Sequence, residues 1–359
     1  SYHIPLSQIT MLITINFGIQ LLVDLLSAGF VDRIGYRVSV VLAHVFAAVG
    51  LVGLVLLPEI MPNAFAGLLI AVFIYALGGG LIEVLISPIV ESCPTDNKEK
   101  AMSLLHSFYC WGHVGVVLLS TVFFGIFGIA NWKILACIWA LIPVINAFVF
   151  AKAPIAPLIE EGESGMTMLD LCKSKVFWVM MLMMLCAGAS EQAVSQWAST
   201  FAEKGLGVTK TIGDLAGPMT FAILMGSSRA FYGKFGHKID LDRFMLGSSV
   251  LCIFSYLLIA ASPIPFLSLV GCGICGLSVG IMWPGTFSKA SVALKNGGTA
   301  MFALLALAGD LGCSGGPTLV GFVSSAAADN LKAGILVAIV FPVVMAVEII
   351  LQRRSCWHS

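Results

Sequence analysis

The chain has 359 residues, of which 59% are hydrophobic and only 11% are charged, whereas about 25% are charged in an ordinary soluble domain. This composition excludes a soluble globular protein and indicates a chain whose solvent is the lipid bilayer. The 19 basic and 19 acidic residues cancel, so the net charge gives no reason to expect a nucleic acid as partner.

Apolar runs bounded by charged residues, Pro and Gly predict a series of membrane-spanning helices. Each run has the length of about 20 residues that crosses the hydrocarbon core of a bilayer. The eleven predicted spans are 6–28, 37–57, 65–90, 101–128, 131–151, 175–200, 211–233, 243–262, 264–288, 298–326 and 330–352. Most Lys and Arg residues fall in loops on one side of these spans, and that side is expected to be cytoplasmic. We therefore expect a multi-pass protein of the cell membrane, the inner membrane of a bacterium.

The longest polar connection, residues 153–174, has the Pro, Gly and charged residues typical of a linker between two halves. It separates an amino-terminal bundle of five spans, residues 1–152, from a carboxy-terminal bundle of six spans, residues 175–359. The segment AGFVDRIGYR ends the first span, and the similar segment GSSRAFYGKFGHK ends the second span of the second half. If the halves are repeats, one helix precedes the first predicted span. The chain is then an amino-terminally shortened or incompletely represented form of a twelve-span protein.

The first predicted span carries a polar stripe, because Asn16, Gln20 and Asp24 recur at intervals of four and share one helix face. The stripe is expected to line a water-filled passage, in which Asn16 and Gln20 are candidates to bind a solute. Asp24 lies nearer the cytoplasmic end and is expected to belong to an inner gate. Interhelical hydrogen bonding alone would explain the same stripe.

The loop after this span reads GFVDRIGYR over residues 29–37. Gly29 and Gly35 allow close helix approach and a tight turn, while Asp32, Arg33 and Arg37 can make charge-assisted contacts with neighbouring helix ends. This motif resembles the signature cytoplasmic loop of the major facilitator superfamily, between its second and third helices. An ordinary basic loop would explain the arginines but not the glycine spacing. The resemblance implies an all-α membrane fold of two pseudo-symmetric helical bundles, with these loop residues at an inner gate.

Three segments resemble a finer group, the fucose/proton symporter-like branch of that superfamily. They are GGGLIE at 78–83 followed by SP at 87–88, LHSFY at 105–109, and an acidic residue at 191 six positions before a Trp. The resemblance implies that Glu83 takes part in proton coupling and in sugar binding.

Glu83 also stands out without the resemblance, because it lies deep in the third predicted span with no Lys or Arg one helical turn away. An ionised carboxylate at mid-membrane costs at least about 2.5 kcal/mol. Glu83 is therefore a candidate to load and release a proton. The alternative is a permanently protonated side chain that is bonded to a backbone carbonyl.

The sixth predicted span ends in a cluster of polar and aromatic residues that could bind a polyhydroxylated solute. A carboxylate, amides and a hydroxyl can bind sugar hydroxyl groups, and an indole can cover the apolar side of a sugar ring. The candidates are Glu191, Gln192, Ser195, Gln196 and Trp197. A solvated helix end could carry the same residues.

Polar and aromatic residues in four other spans complete the candidate site. His106 and Tyr109 share one side of the fourth span and could form a proton path or a hydroxyl-binding edge, although structural hydrogen bonding would explain them equally well. Asp310 is either a second proton-coupling residue or the partner of a basic group such as Arg229, which we also assign to the inner gate. Trp283, next to a proline, is expected at a kink that faces the solute.

The chain contains no HExxH, GxSxG, P-loop or dinucleotide motif, so we expect neither an enzyme nor a bound cofactor or metal. The sequence favours a monomeric secondary active transporter that takes up a sugar or a similar small polar solute together with protons. Two alternatives are an exporter of amphiphilic compounds on the same fold and a membrane sensor or scaffold that transports nothing.

Overall fold

The computed structural model describes residues 4, 6–156, 158, 165–328 and 330–355, and this part of the chain is almost entirely helical, without strands. Its α-helices are α1 (Leu6–Ile34), α2 (Tyr36–Ile60), α3 (Ala64–Ser92), α4 (Lys98–Phe127), α5 (Trp132–Lys152), α6 (Met168–Lys173), α7 (Lys175–Ser195), α8 (Ala198–Leu206), α9 (Lys210–Phe235), α10 (Leu241–Ala261), α11 (Pro265–Val279), α12 (Met282–Ala293), α13 (Gly298–Ala326), α14 (Leu331–Ala338) and α15 (Val340–Ser355).

Within the described residues, ten helical segments are long and apolar enough to cross a membrane. They coincide with ten of the predicted spans. The remaining predicted span, 211–233, forms α9, whose Gly, Ser and Thr residues make it less apolar. The prediction of an all-α membrane protein is confirmed.

Three predicted spans are each divided into two helices. The breaks lie between α7 and α8, between α11 and α12, and between α14 and α15. The segment expected to link the halves contains the short helix α6, while residues 157 and 159–164 of that segment lie outside the described part. Hydropathy alone cannot show such breaks, because both parts of a broken helix remain apolar.

The described residues form two compact units. The first, which we call the amino-terminal unit, comprises Ser1–Pro94, Leu118–Leu171 and Asn296–Leu307. In this unit α2 packs against α3 and α5, and α1 packs against α3. The buried core is aliphatic: Ile19, Val23, Val31, Val40, Ala43, Ala76, Leu81, Leu85 and Ile89.

The second unit, called the carboxy-terminal unit, comprises Thr95–Val117, Cys172–Lys295 and Ala308–Ser359. In this unit α9 packs against α8 and α11, while α7 packs against α11, α12 and α15. Its fully buried side chains are larger and include Phe177, Met183, Met184, Tyr232 and Tyr256. This unit thus holds the helices that carry the buried ion pair described below.

Glycines let α13 approach α7 until their backbones touch. A Cβ atom at Gly312 would lie 2.1 Å from the carbonyl oxygen of Leu185, and one at Gly316 would lie 2.6 Å from that of Ala189. Close backbone contact between small residues is a common way to pack membrane helices, because van der Waals contact replaces the hydrophobic effect there.

Substitution of Gly312 by Ala is expected to destabilise the protein by about 1–3 kcal/mol, because the added methyl group forces the two helix backbones apart. Gly315 provides the matched control, since a Cβ atom there would meet nothing within 4 Å. Gly315→Ala should leave stability unchanged or raise it slightly through helix propensity. Unfolding midpoints of the two purified variants test this packing, and equal midpoints would contradict it.

Candidate functional site

A buried ion pair lies in the carboxy-terminal unit, between α7 and α9. The Nη2 atom of Arg229 is 3.3 Å from Oε2 of Glu191, and the two residues are only 3% and 8% exposed. A charge in a membrane span is costly unless it is paired, so such residues commonly mark a functional site. A solvated helix end would instead leave Glu191 exposed.

Arg229 also donates to three other groups. Its Nε atom is 2.8 Å from the carbonyl oxygen of Gly280, and its Nη1 atom is 3.1 Å from that of His106 and 3.3 Å from Sγ of Cys110. One guanidinium therefore connects α4, α7 and the end of α11 with its own helix. We call these residues the Arg229 network.

Aromatic side chains extend from this network along α12. The imidazole of His106 stacks on Phe287, with 5.9 Å between ring centroids, and Phe287 meets Trp283 edge to face at 6.2 Å. The indole of Trp283 rests against α13 at Gly309, where a Cβ atom would lie only 2.2 Å from the ring. The half-buried Trp283 thus provides an aromatic face in the same unit as the ion pair.

The other candidates on α7 lie at its carboxyl end. Ser195 donates to the Oε1 atom of Gln192 at 3.0 Å, and Gln196 is exposed. The indole Nε1 of Trp197 is buried and has no hydrogen-bond acceptor among the described residues. These groups offer both donors and acceptors for a polar solute.

In the amino-terminal unit, the polar stripe of α1 contacts α3. Asn16 donates to Gln20 at 3.5 Å, and the Nε2 atom of Gln20 would lie 3.3 Å from a Cβ atom placed at Gly79. Glu83 is half-buried one turn further along α3 and therefore shares a face with Gly79. Asp24, lower on α1, is fully buried.

The loop motif forms a second polar cluster in this unit. Oδ1 of Asp32 accepts a hydrogen bond of 2.5 Å from Thr299 at the start of α13, and the hydroxyl of Tyr36 is hydrogen-bonded to the same threonine. Gly35 has φ of 91°, a left-handed conformation that favours glycine between two helices. Arg37 donates to the carbonyl oxygen of Ala151, near the end of α5, at 2.7 Å.

The remaining candidates are more dispersed. Gly29 and Arg33 are exposed near the carboxyl end of α1, and Tyr109 is 63% exposed on α4. Asp310 is half-buried on α13, next to the glycine that contacts Trp283.

The structure thus brings Glu191, Arg229, His106 and Trp283 into one connected group. The other polar group on the predicted solute path, with Asn16, Gln20 and Glu83, belongs to the other unit. Sequence reasoning missed Thr299, Cys110 and Gly280, because each acts through a partner that is distant in the chain.

Substitution of Asp32 by Ala is expected to slow transport more than it weakens equilibrium binding of the solute, because Asp32 contacts Thr299 and lies in the loop motif that we predict to form the inner gate. Thr299→Val removes the same hydrogen bond from the other side and should have a similar effect. Transport rates in proteoliposomes are compared with binding to the purified variants. A normal rate in both variants would contradict the gating role.

The ten long apolar segments among the described residues define the class of this protein, a multi-pass helical membrane protein, and its carboxy-terminal unit holds a buried ion pair. The chain belongs to the Major Facilitator Superfamily, whose family model matches residues 1–317. It is therefore a transporter of the secondary type. No curated protein sequence matches the chain.

Solved structures share the fold at low sequence identity. The fucose:proton symporter of E. coli superposes with a TM-score of 0.81 at 15% identity, covering 96% of this chain and 90% of that one. The human organic anion transporter MFSD10 superposes with a TM-score of 0.74 at 14% identity, covering 93% of this chain and 82% of that one. A proton:xylose symporter, bound to 6-bromo-6-deoxy-D-glucose, superposes with a TM-score of 0.73 at 12% identity, covering 95% of this chain and 85% of that one. The resemblance to the superfamily is confirmed, and the fucose and xylose symporters share the fold of this chain.

Proposed function

We propose that the protein takes up a sugar, or a similar small uncharged polar solute, together with protons. The observation that carries this proposal is the buried pair of Glu191 and Arg229. Because the two charges balance, the pair creates no net charge that would select an ionic solute. An acidic solute would have to compete with Glu191 for the guanidinium, whereas a hydroxyl group can donate to the carboxylate without breaking the pair.

Polar and aromatic groups on α7 and α12 also support a hydroxylated solute. Gln192, Gln196 and Trp197 supply hydrogen-bonding groups near the end of α7, and Trp283 supplies an aromatic face on α12. Amide, hydroxyl and indole groups around a carboxylate are a combination that recognises sugars. Asn16 and Gln20 are the candidates in the amino-terminal unit.

Proton coupling is assigned to Glu83, with His106 and Asp310 as further candidates. Carboxyl groups within membrane spans commonly form proton relays in transporters. The half-buried position of Glu83, which shares a face of α3 with the contact to Gln20, supports a link between proton and solute. The fucose and xylose symporters named above move protons with their sugars.

In the proposed transport cycle, the bundles 1–152 and 175–359 alternate access to a solute held near the middle of the membrane. The hydrogen bonds of Asp32 and Tyr36 to Thr299 then break and re-form at the inner gate. The proposal concerns a monomer in the bilayer of the cell membrane.

A thermal-shift screen of the purified protein against sugars, nucleosides, organic acids and amphiphilic compounds tests the solute class, because a ligand that binds only the folded state raises the unfolding midpoint. The best ligand is then added to proteoliposomes that contain a pH-sensitive dye. We expect a sugar to stabilise the protein and to drive proton uptake. Stabilisation by amphiphilic compounds alone would favour the exporter instead.

A further inference from the structure

The break between α11 and α12 has a cause in the sequence. In an uninterrupted helix, the backbone N–H of residue 284 would donate to the carbonyl oxygen of residue 280. Residue 284 is a proline, which has no N–H group. The carbonyl oxygen of Gly280 therefore needs another donor, because Gly280 is buried and a buried backbone acceptor without a partner is costly.

Arg229 supplies this donor from the neighbouring helix. Its Nε atom lies 2.8 Å from the carbonyl oxygen of Gly280, and the bond is buried. The absence of a side chain at Gly280 permits the approach, because a Cβ atom there would lie 2.9 Å from Cβ of Ser228 and 3.0 Å from the carbonyl oxygen of Met225. The interaction thus joins α9, which carries Arg229, to the break between α11 and α12, where Gly280 lies four residues before Pro284.

We propose that Arg229 is a positioning residue, whose guanidinium replaces the amide group that Pro284 lacks and so fixes the break between α11 and α12. Glu191 balances the charge that this bond brings into the membrane. Trp283 is the second residue of α12, directly after the break, so the direction of α12 determines where its indole lies. The link from Trp283 to solute binding rests on the proposed function, whereas the link from Arg229 to the break does not.

A double-mutant cycle between Arg229 and Pro284 tests the inference. Arg229→Lys keeps a positive charge for Glu191 but removes the planar guanidinium that donates to Glu191 and to the carbonyl oxygen of Gly280 at the same time. We expect this variant to lower the unfolding midpoint by about 3 °C. Pro284→Ala restores a backbone N–H for Gly280, so it should recover at least half of that loss in the Arg229→Lys background while giving no such gain in the native background.

Pro317, inside α13 of the same unit, provides the control. Pro317→Ala should have the same effect on the midpoint with either Arg or Lys at position 229. If Pro284→Ala also has the same effect in both backgrounds, Arg229 does not act through Gly280 and the inference is overturned.

A second background keeps the test decisive if Arg229→Lys does not fold. In the variant E191Q/R229Q both buried charges are removed, and Pro284→Ala should again raise the midpoint, by more than it does in the native protein. An equal effect would again reject the inference. All midpoints are measured without solute, so a failure of the proposed function leaves this test valid.

With a solute identified by the screen, the same variants report on Trp283. Arg229→Lys should weaken solute binding about tenfold, and Pro284→Ala should recover part of that affinity. Loss of affinity without recovery, alongside recovery of stability, would confine the role of Arg229 to the break itself and would reject its positioning of Trp283.

Discussion

Substitution of Glu191 by Gln is expected to lower the free energy of unfolding by about 3–5 kcal/mol, because it leaves the charge of Arg229 buried without its anion. Arg229 is only 3% exposed, so water cannot replace the lost carboxylate. Arg229→Gln should cost a similar amount, since it leaves Glu191 unpaired in the same place. Chemical unfolding of the purified variants in detergent measures both effects.

The double variant E191Q/R229Q should be more stable than the sum of the two single effects implies, because two neutral amides leave no buried charge. The surface pair of Lys133 and Glu59 is the matched control, at 2.5 Å but 38% and 50% exposed. Glu59→Gln is expected to cost at most about 1 kcal/mol, since water solvates the remaining Lys133. If Glu191→Gln costs no more than Glu59→Gln, the pair is not the buried ion pair that the proposed function requires.

The spans could be predicted from the sequence because hydropathy reports on the solvent of each segment, and the bilayer sets their length. The positions of Gly35 and Asp32 could also be predicted, because a local motif specifies a left-handed turn and a charged helix end. These features depend on residues that are close in the chain.

The partner of Arg229 could not be predicted in the same way. The sequence named Asp310 as one possible partner of Arg229 but gave no reason to pair Arg229 with Glu191, which the structure places beside the guanidinium. That pairing depends on how α7 and α9 are rotated about their axes, which hydropathy does not determine. Glu191 and Arg229 are 38 positions apart in the chain, beyond the range of any helical spacing rule.

The proline beside Trp283 was enough to predict a kink in this helix, but not the residues at which the helix breaks. Pro284 acts on the carbonyl group four residues earlier, so the break falls at Gly280 and Ile281. The spacing of Gly280 and Pro284 could have indicated the orphaned carbonyl. Only the three-dimensional packing shows that Arg229 satisfies it. The roles assigned to the solute and proton residues stay predictions.

The largest functional effect is expected at Glu83. Glu83→Gln should abolish solute-driven proton uptake in proteoliposomes, because an amide of nearly the same shape can neither bind nor release a proton near neutral pH. Exchange of labelled solute across the membrane, which needs no net proton movement, should persist in this variant. A separation of proton movement from solute exchange is the signature of a coupling residue, since a merely destabilised protein would lose both.

Glu91 allows a matched comparison on the same helix, because it lies two turns further along α3, near the carboxyl end at Ser92. Because Glu91 lies at the end of the helix and away from the contact between α3 and Gln20, Glu91→Gln should retain proton uptake. Both variants are first compared with the native protein by size-exclusion chromatography and unfolding midpoint, which confirms that they fold. Undiminished proton uptake by a folded Glu83→Gln variant would reject Glu83 as the coupling site and would direct attention to Asp310 and His106, the other titratable candidates within the spans.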